Sequence, residues 1–112
     1  MNLARPPAGT LPLRFVVSRT STAVRLEIGG EVDLRNSHDL ETALTAVDVG
    51  GAEAVHLDLH ELTFCDTAGA WILLLFLRSL RASGHEVTIQ GASPLLRKLL
   101  TLLGYGDPDS FA

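Results

Sequence analysis

A chain of 112 residues with 46% hydrophobic content is sized for one domain around one core, with no need of disulfides or a structural metal. Nine Lys and Arg against thirteen Asp and Glu give a formal charge of −4, and the basic residues are scattered, with Arg97-Lys98 the one adjacent pair, which argues against nucleic acid or anionic lipid as a direct partner. The lone Cys65 cannot close an internal disulfide, the first residues hold no apolar signal core, and the longest apolar run, Ala68 to Leu77, is about half of the ~20 residues a spanning helix needs. The expectation is a cytoplasmic protein that does not span a membrane.

Residues 1–12 hold Pro6, Pro7, Gly9 and Pro12 and read as an irregular leader to a single domain over 13–112. Leu13, Phe15 and Val17 alternate with Arg14, Val16 and Ser18 as a first strand, and Thr20-Ser21-Thr22 is a polar turn. Val24, Leu26 and Ile28 alternate with Arg25 and Glu27 in a second strand, the two forming a hairpin, with a bulge expected at Gly29-Gly30 before Glu31-Val32-Asp33. Asn36 or Ser37 can cap a helix in which Leu40, Ala43, Leu44 and Val47 recur, with Gly50-Gly51 as its stop.

Ala54 to Leu59 is the third strand, and His60 to Asp66 reads as a loop. Beyond it, Trp71 to Leu77 contains no polar residue, and Arg78 and Arg81 occupy the last turn of this helix before Gly84, as the macrodipole prefers. Glu86 to Gln90 is a further strand. Ser93-Pro94 opens a last helix, Leu95 to Leu103, which Gly104 ends.

Strands linked through helices imply parallel neighbours with right-handed crossovers. The strands alternate instead of running continuously apolar, so one sheet face is left open, carrying Arg14, Arg25, Glu27, His56, Asp58, Thr88 and Gln90. The expected fold class is therefore α/β: a two-layer sandwich with a mixed, mostly parallel sheet of four to five strands and the helices on one face. No glycine-rich phosphate loop follows any strand, which disfavours a doubly wound nucleotide fold.

Candidate sites are few. His56, Asp58 and His60 share a strand face, but the outer pair would lie ~13 Å apart at ~3.3 Å per residue, too far for one ion, so no metal is expected. Cys65 beside Asp66 has no basic partner to lower its pKa. No acid–base pair stands out, so the chain reads as a non-enzyme with no catalytic residues and no cofactor. Thr67 places a hydroxyl at the start of the apolar helix, where it serves either as an N-cap or as the carrier of an anion such as phosphate. The helix is apolar around its whole circumference, which a sheet cannot fully cover; the excess packs laterally under Leu40, Leu44, Leu99 and Leu103 or faces a partner. The small residues Ala68, Gly69 and Ala70 would let another chain approach closely.

The segments Leu57-Asp58-Leu59 and Leu62-Thr63-Phe64-Cys65-Asp66-Thr67-Ala68-Gly69, together with Gly30-Glu31-Val32-Asp33 and the helix from Pro94 to Gly104, resemble STAS domains of the bacterial anti-sigma factor antagonist type, over roughly residues 13 to 105. The resemblance implies a partner-switching transcription regulator. Thr67 is then the phospho-acceptor, with Asp33, Asp66, Ala68, Gly69 and Trp71 in the docking surface. The partner is an anti-sigma factor with serine/threonine kinase activity, and a phosphatase reverses the modification. The chain departs from the family pattern in having Thr for the acceptor serine and Ala68 for the second hydroxyl. Asp-Thr-Ala-Gly-Ala-Trp is similar as well to STAS accessory subunits of phospholipid-transporting ABC permeases, which implies the alternative of docking on a transporter ATPase or permease.

Overall fold

The computed structural model describes residues 11–112; the expected leader lies outside them except for Leu11 and Pro12. Strands β1 (Arg14–Arg19) and β2 (Ala23–Val32) form the hairpin, followed by helix α1 (Ser37–Ala46), strands β3 (Ala54–Asp58) and β4 (Leu62–Cys65), helix α2 (Thr67–Ala82), strand β5 (Glu86–Gln90) and helix α3 (Pro94–Leu102). The sheet runs β1-β2-β3-β5, and β4 lies beside the far end of β2. β1 is antiparallel to β2; β3 and β4 are both parallel to β2, and β5 is parallel to β3.

The two-layer expectation holds because inward and outward residues alternate in register. Leu26, Leu57 and Ile89 pair across three strands and are buried, while their neighbours Arg25, His56 and Thr88 pair on the other face. α2 lies between α1 and α3 on the buried side, with Leu73, Leu74 and Leu77 fully enclosed. Side chains of this size contribute about 1.5–3 kcal/mol each when removed from water.

Several boundaries differ from the expectation. The segment read as a loop, His60 to Asp66, contains β4. Four residues are too short for a clear alternation, and their partner is the tail of β2, some thirty positions away in the chain. The register of that pairing shifts between Gly30 and Glu31, and the extra residue is Thr63 of β4, whereas a bulge was expected at Gly29-Gly30 of β2. Gly30 has φ 92°, and a Cβ there would collide with the Pro12 carbonyl oxygen. α1 ends at Ala46, short of Gly50-Gly51, and Gly50 (φ 51°) serves the turn before β3 instead. Asn36 occupies the N-cap position of α1, but no side-chain bond caps this helix. α3 ends one residue earlier than expected; its Ser93 cap accepts the Leu96 N–H at 3.1 Å.

Past α3 the chain doubles back across the β5 edge. Ala112 donates its N–H to the Ile89 carbonyl at 2.9 Å. Phe111 meets Tyr105 edge-on and lies under the Arg97 guanidinium, 4.8 Å from its ring centre.

Candidate functional site

The two acidic motifs of the sequence meet at one end of the sheet. Val32 and Cys65 are direct partners in the β2–β4 ladder, and Asp66 donates its N–H to the Val32 carbonyl at 3.1 Å. Asp33 and Asp66 therefore follow side by side as the two strands end, and α2 begins at Thr67.

Asp66 has the extended backbone of an N-cap (φ −85°, ψ −174°), and its carboxylate accepts the Gly69 N–H at 3.1 Å. Its carbonyl accepts the Ala70 N–H at 2.9 Å, the first turn of the helix. Of the two roles the sequence offered Thr67, N-cap or anion carrier, the capping role falls instead to Asp66. Thr67 is the first helical residue and is exposed.

Gly69 faces inward. A Cβ on it would stand 2.6 Å from Val32 Cγ1 and 2.7 Å from Cys65 Sγ, so the close approach it permits is between α2 and its own sheet. Ala70 is fully buried beside it. Trp71 and Leu75, by contrast, are each 45% exposed, and successive turns bring Thr67, Trp71 and Leu75 onto one outward stripe. The apolar excess of α2 is thus divided: Leu73, Leu74, Leu77 and Leu80 are buried, Ile72 and Phe76 are partly covered, and the stripe remains open. A groove of about 380 Å³ opens between α1 and α2, lined in part by Leu44, Val47, Ile72, Leu75 and Phe76.

Asp33 sits in a tight polar turn that sequence reasoning did not resolve. Its Oδ1 accepts the Arg35 backbone N–H at 2.8 Å, and its Oδ2 accepts both Arg35 Nε (3.1 Å) and Nη2 (2.7 Å). Asn36 braces the turn: its Oδ1 accepts the Asp33 N–H at 2.9 Å and its Nδ2 donates to the Glu31 carbonyl at 2.8 Å. The Arg35 side-chain hydrogen bonds, then its backbone N–H, hold the Asp33 carboxyl below its ordinary value. A short acidic residue two positions before an arginine was the available signal for this pair.

Cys65 lies beneath this end of the fold. Burial, and secondarily the charge of Asp66, push its thiol up to about 12, so it is protonated at neutral pH. On the open sheet face, Asp58 Oδ2 meets Arg25 Nη2 at 2.5 Å and Asp58 Oδ1 meets His60 Nδ1 at 2.7 Å, while His56 Nδ1 is buried with no hydrogen-bond partner among the described residues. Arg25 and His60 thus engage both Asp58 oxygens, and among the described residues no three His, Cys, Asp or Glu are grouped to hold a metal. No helix among them is long and apolar enough to cross a membrane.

A mixed sheet with its helices on one face and a capped hydroxyl-bearing helix at the β4 end defines a STAS-like fold. The family model described as "Mlab, STAS domain" matches residues 15–107, and the chain belongs to the STAS domain family. It is similar to the anti-sigma-B factor antagonist of Staphylococcus aureus, at 26% identity over 82 residues that cover 73% of this chain and 76% of that protein. The crystal structure of an anti-sigma factor antagonist from Mycobacterium paratuberculosis superposes with a TM-score of 0.69 at 22% identity, covering 83% of this chain and 79% of the other. The Bacillus cell fate determinant SpoIIAA in its phosphorylated form does so with a TM-score of 0.67 at 23% identity, covering 88% and 89%. These structural likenesses establish the shared fold.

Proposed function

We propose that this protein is a non-enzymatic, cytoplasmic anti-sigma factor antagonist that binds an anti-sigma factor kinase and is released when that kinase phosphorylates Thr67. The observation that carries the reading is the division of roles at the start of α2: Asp66 caps the helix, which leaves the exposed Thr67 hydroxyl outside the cap. The names of the Staphylococcus relative and of the Mycobacterium neighbour support the same class.

In the proposed step the Thr67 hydroxyl oxygen attacks the γ-phosphorus of ATP. The new O–P bond forms as the bond to ADP breaks, and the hydroxyl proton passes to a base on the kinase. The product carries about −1.5 to −2 charges at a helix N-terminus that tolerates them within the chain. A partner seated over Asp33, Asp66, Thr67, Ala68 and Trp71 would meet that charge at close range. A penalty of about 3 kcal/mol lowers affinity by roughly two orders of magnitude, enough to release the partner with no refolding.

Incubation with the cognate kinase and ATP should add one phosphate, and the Thr67→Ala protein should remain unmodified while still binding the kinase. Thr67→Glu should bind it more weakly. Equal affinity of the two variants, or phosphate on another residue, rejects the reading.

The alternative, an accessory subunit docking on the ATPase or permease of a phospholipid ABC transporter, is favoured by Ala68, which replaces a second hydroxyl, and by the open Trp71–Leu75 stripe. Affinity capture from the native host separates the two: an ABC ATPase recovered with its permease, in place of a kinase, selects the transporter.

A further inference from the structure

Arg35 is an exposed cation bonded to Asp33, at the strand end beside the one that leads into Thr67, and that bond can be exchanged. Its guanidinium donates twice, but both bonds converge on one oxygen, Asp33 Oδ2, instead of spreading over the two oxygens as a bidentate fork would. The arginine side chain is 55% exposed, so packing does not fix it. Asp33 Oδ1 is held independently by the Arg35 backbone N–H; the carboxylate therefore stays oriented when the guanidinium leaves. The β2–β4 ladder carries Asp33 and Asp66 off adjacent strands, spaced ~4.8 Å apart. Thr67 follows Asp66 directly as the first residue of α2. Glu31, Asp33 and Asp66, at these two strand ends, are all acidic.

We infer that Arg35 is a transferable counter-charge for Thr67: it rests on Asp33 in the unmodified protein and moves to the phosphate in the modified one, leaving Asp33 bare at the docking surface. This rests on Thr67 being the phosphorylated residue. A phosphate offers three acceptor oxygens and up to twice the charge of a carboxylate, so the exchange is favourable. Modification would then alter the surface twice, by adding the phosphate and by uncovering a second negative group on the neighbouring strand. Arg35 acts as a positioning residue whose two partners compete for it.

The test needs no kinase. Phosphothreonine is installed at position 67 of the full chain by synthesis or codon reassignment, and its second ionisation is titrated by phosphorus NMR in the wild-type, Arg35→Lys and Arg35→Ala backgrounds. The phosphate should bind its proton least tightly in wild type, about threefold or more below Arg35→Ala, with Arg35→Lys between them. The Arg35 Nε resonance should also move on phosphorylation. Superimposable titrations for wild type and Arg35→Ala, or an unmoved Nε resonance, overturn the transfer. A kinase that ignores Thr67 in the separate assay would reject the switch while leaving this contact measurable, so the two failures are distinguishable.

Discussion

The Asp66 carboxylate accepts the Gly69 N–H at 3.1 Å, and the residue that accepts this bond is not the one that offers its hydroxyl to solvent. The capping role thereby falls to Asp66, and the proposed modification to its neighbour. Asp66→Ala should cost about 1 kcal/mol, the ordinary value of a lost N-cap, while Thr67→Ala should stay within about 0.5 kcal/mol of wild type. Urea denaturation of both variants checks this; a larger loss for Thr67→Ala would return the capping role to the threonine.

Gly69 should be intolerant of even one added carbon. Gly69→Ala pushes a methyl into Val32 and Cys65, and overpacking of this kind costs about 1–3 kcal/mol. Val32→Ala, itself destabilising, should recover part of the loss in the double variant, because it removes the atom nearest the new methyl. A double-mutant cycle with no coupling between the two positions would contradict the proposed contact.

Cys65 should resist alkylation in the folded state. With its thiol pushed up to about 12, the thiolate fraction at pH 8 is negligible, and labelling by iodoacetamide should rise with the unfolded population as urea is added. Rapid labelling of native protein at pH 8 would show that the thiol is accessible and ionisable.

The open face should contribute to acid sensitivity. Burial pushes the Asp58 carboxyl up, but the His60 hydrogen bonds and the charges of His60 and Arg25 outweigh it and bring the carboxyl below its ordinary 3.8. A carboxyl depressed in the folded state contributes stability that is fully present above 3.8 and is lost as pH falls through the lower folded value. Arg25→Met should therefore flatten the stability–pH curve below about pH 4 and leave its neutral limb parallel to wild type. Chemical denaturation across pH 2.5 to 7 makes the comparison, and an unchanged acid slope would remove Arg25 from the network.

Much of this architecture was legible because periodicity and burial agree. Leu26, Leu57 and Ile89 announce one buried face of three strands, and the polar residues between them announce the open one. β4 was not legible, because a four-residue strand is defined by its distant partner in β2 and not by its own pattern. The capping residue was ambiguous for a related reason: Asp66 and Thr67 are both good caps, and the choice depends on the backbone angle at which β4 delivers the chain. The Asp33–Arg35 pair depends on a turn braced by Asn36, whose bonds reach back to the Asp33 N–H and the Glu31 carbonyl. Local composition suggests such a turn without specifying its partners.

The register shift between Gly30 and Glu31 falls inside the β2–β4 pairing, past the stretch of β2 that answers to β1 and β3. The strand ends that carry Asp33 and Asp66 are thus tied to each other by a short pairing of their own, beyond the body of the sheet.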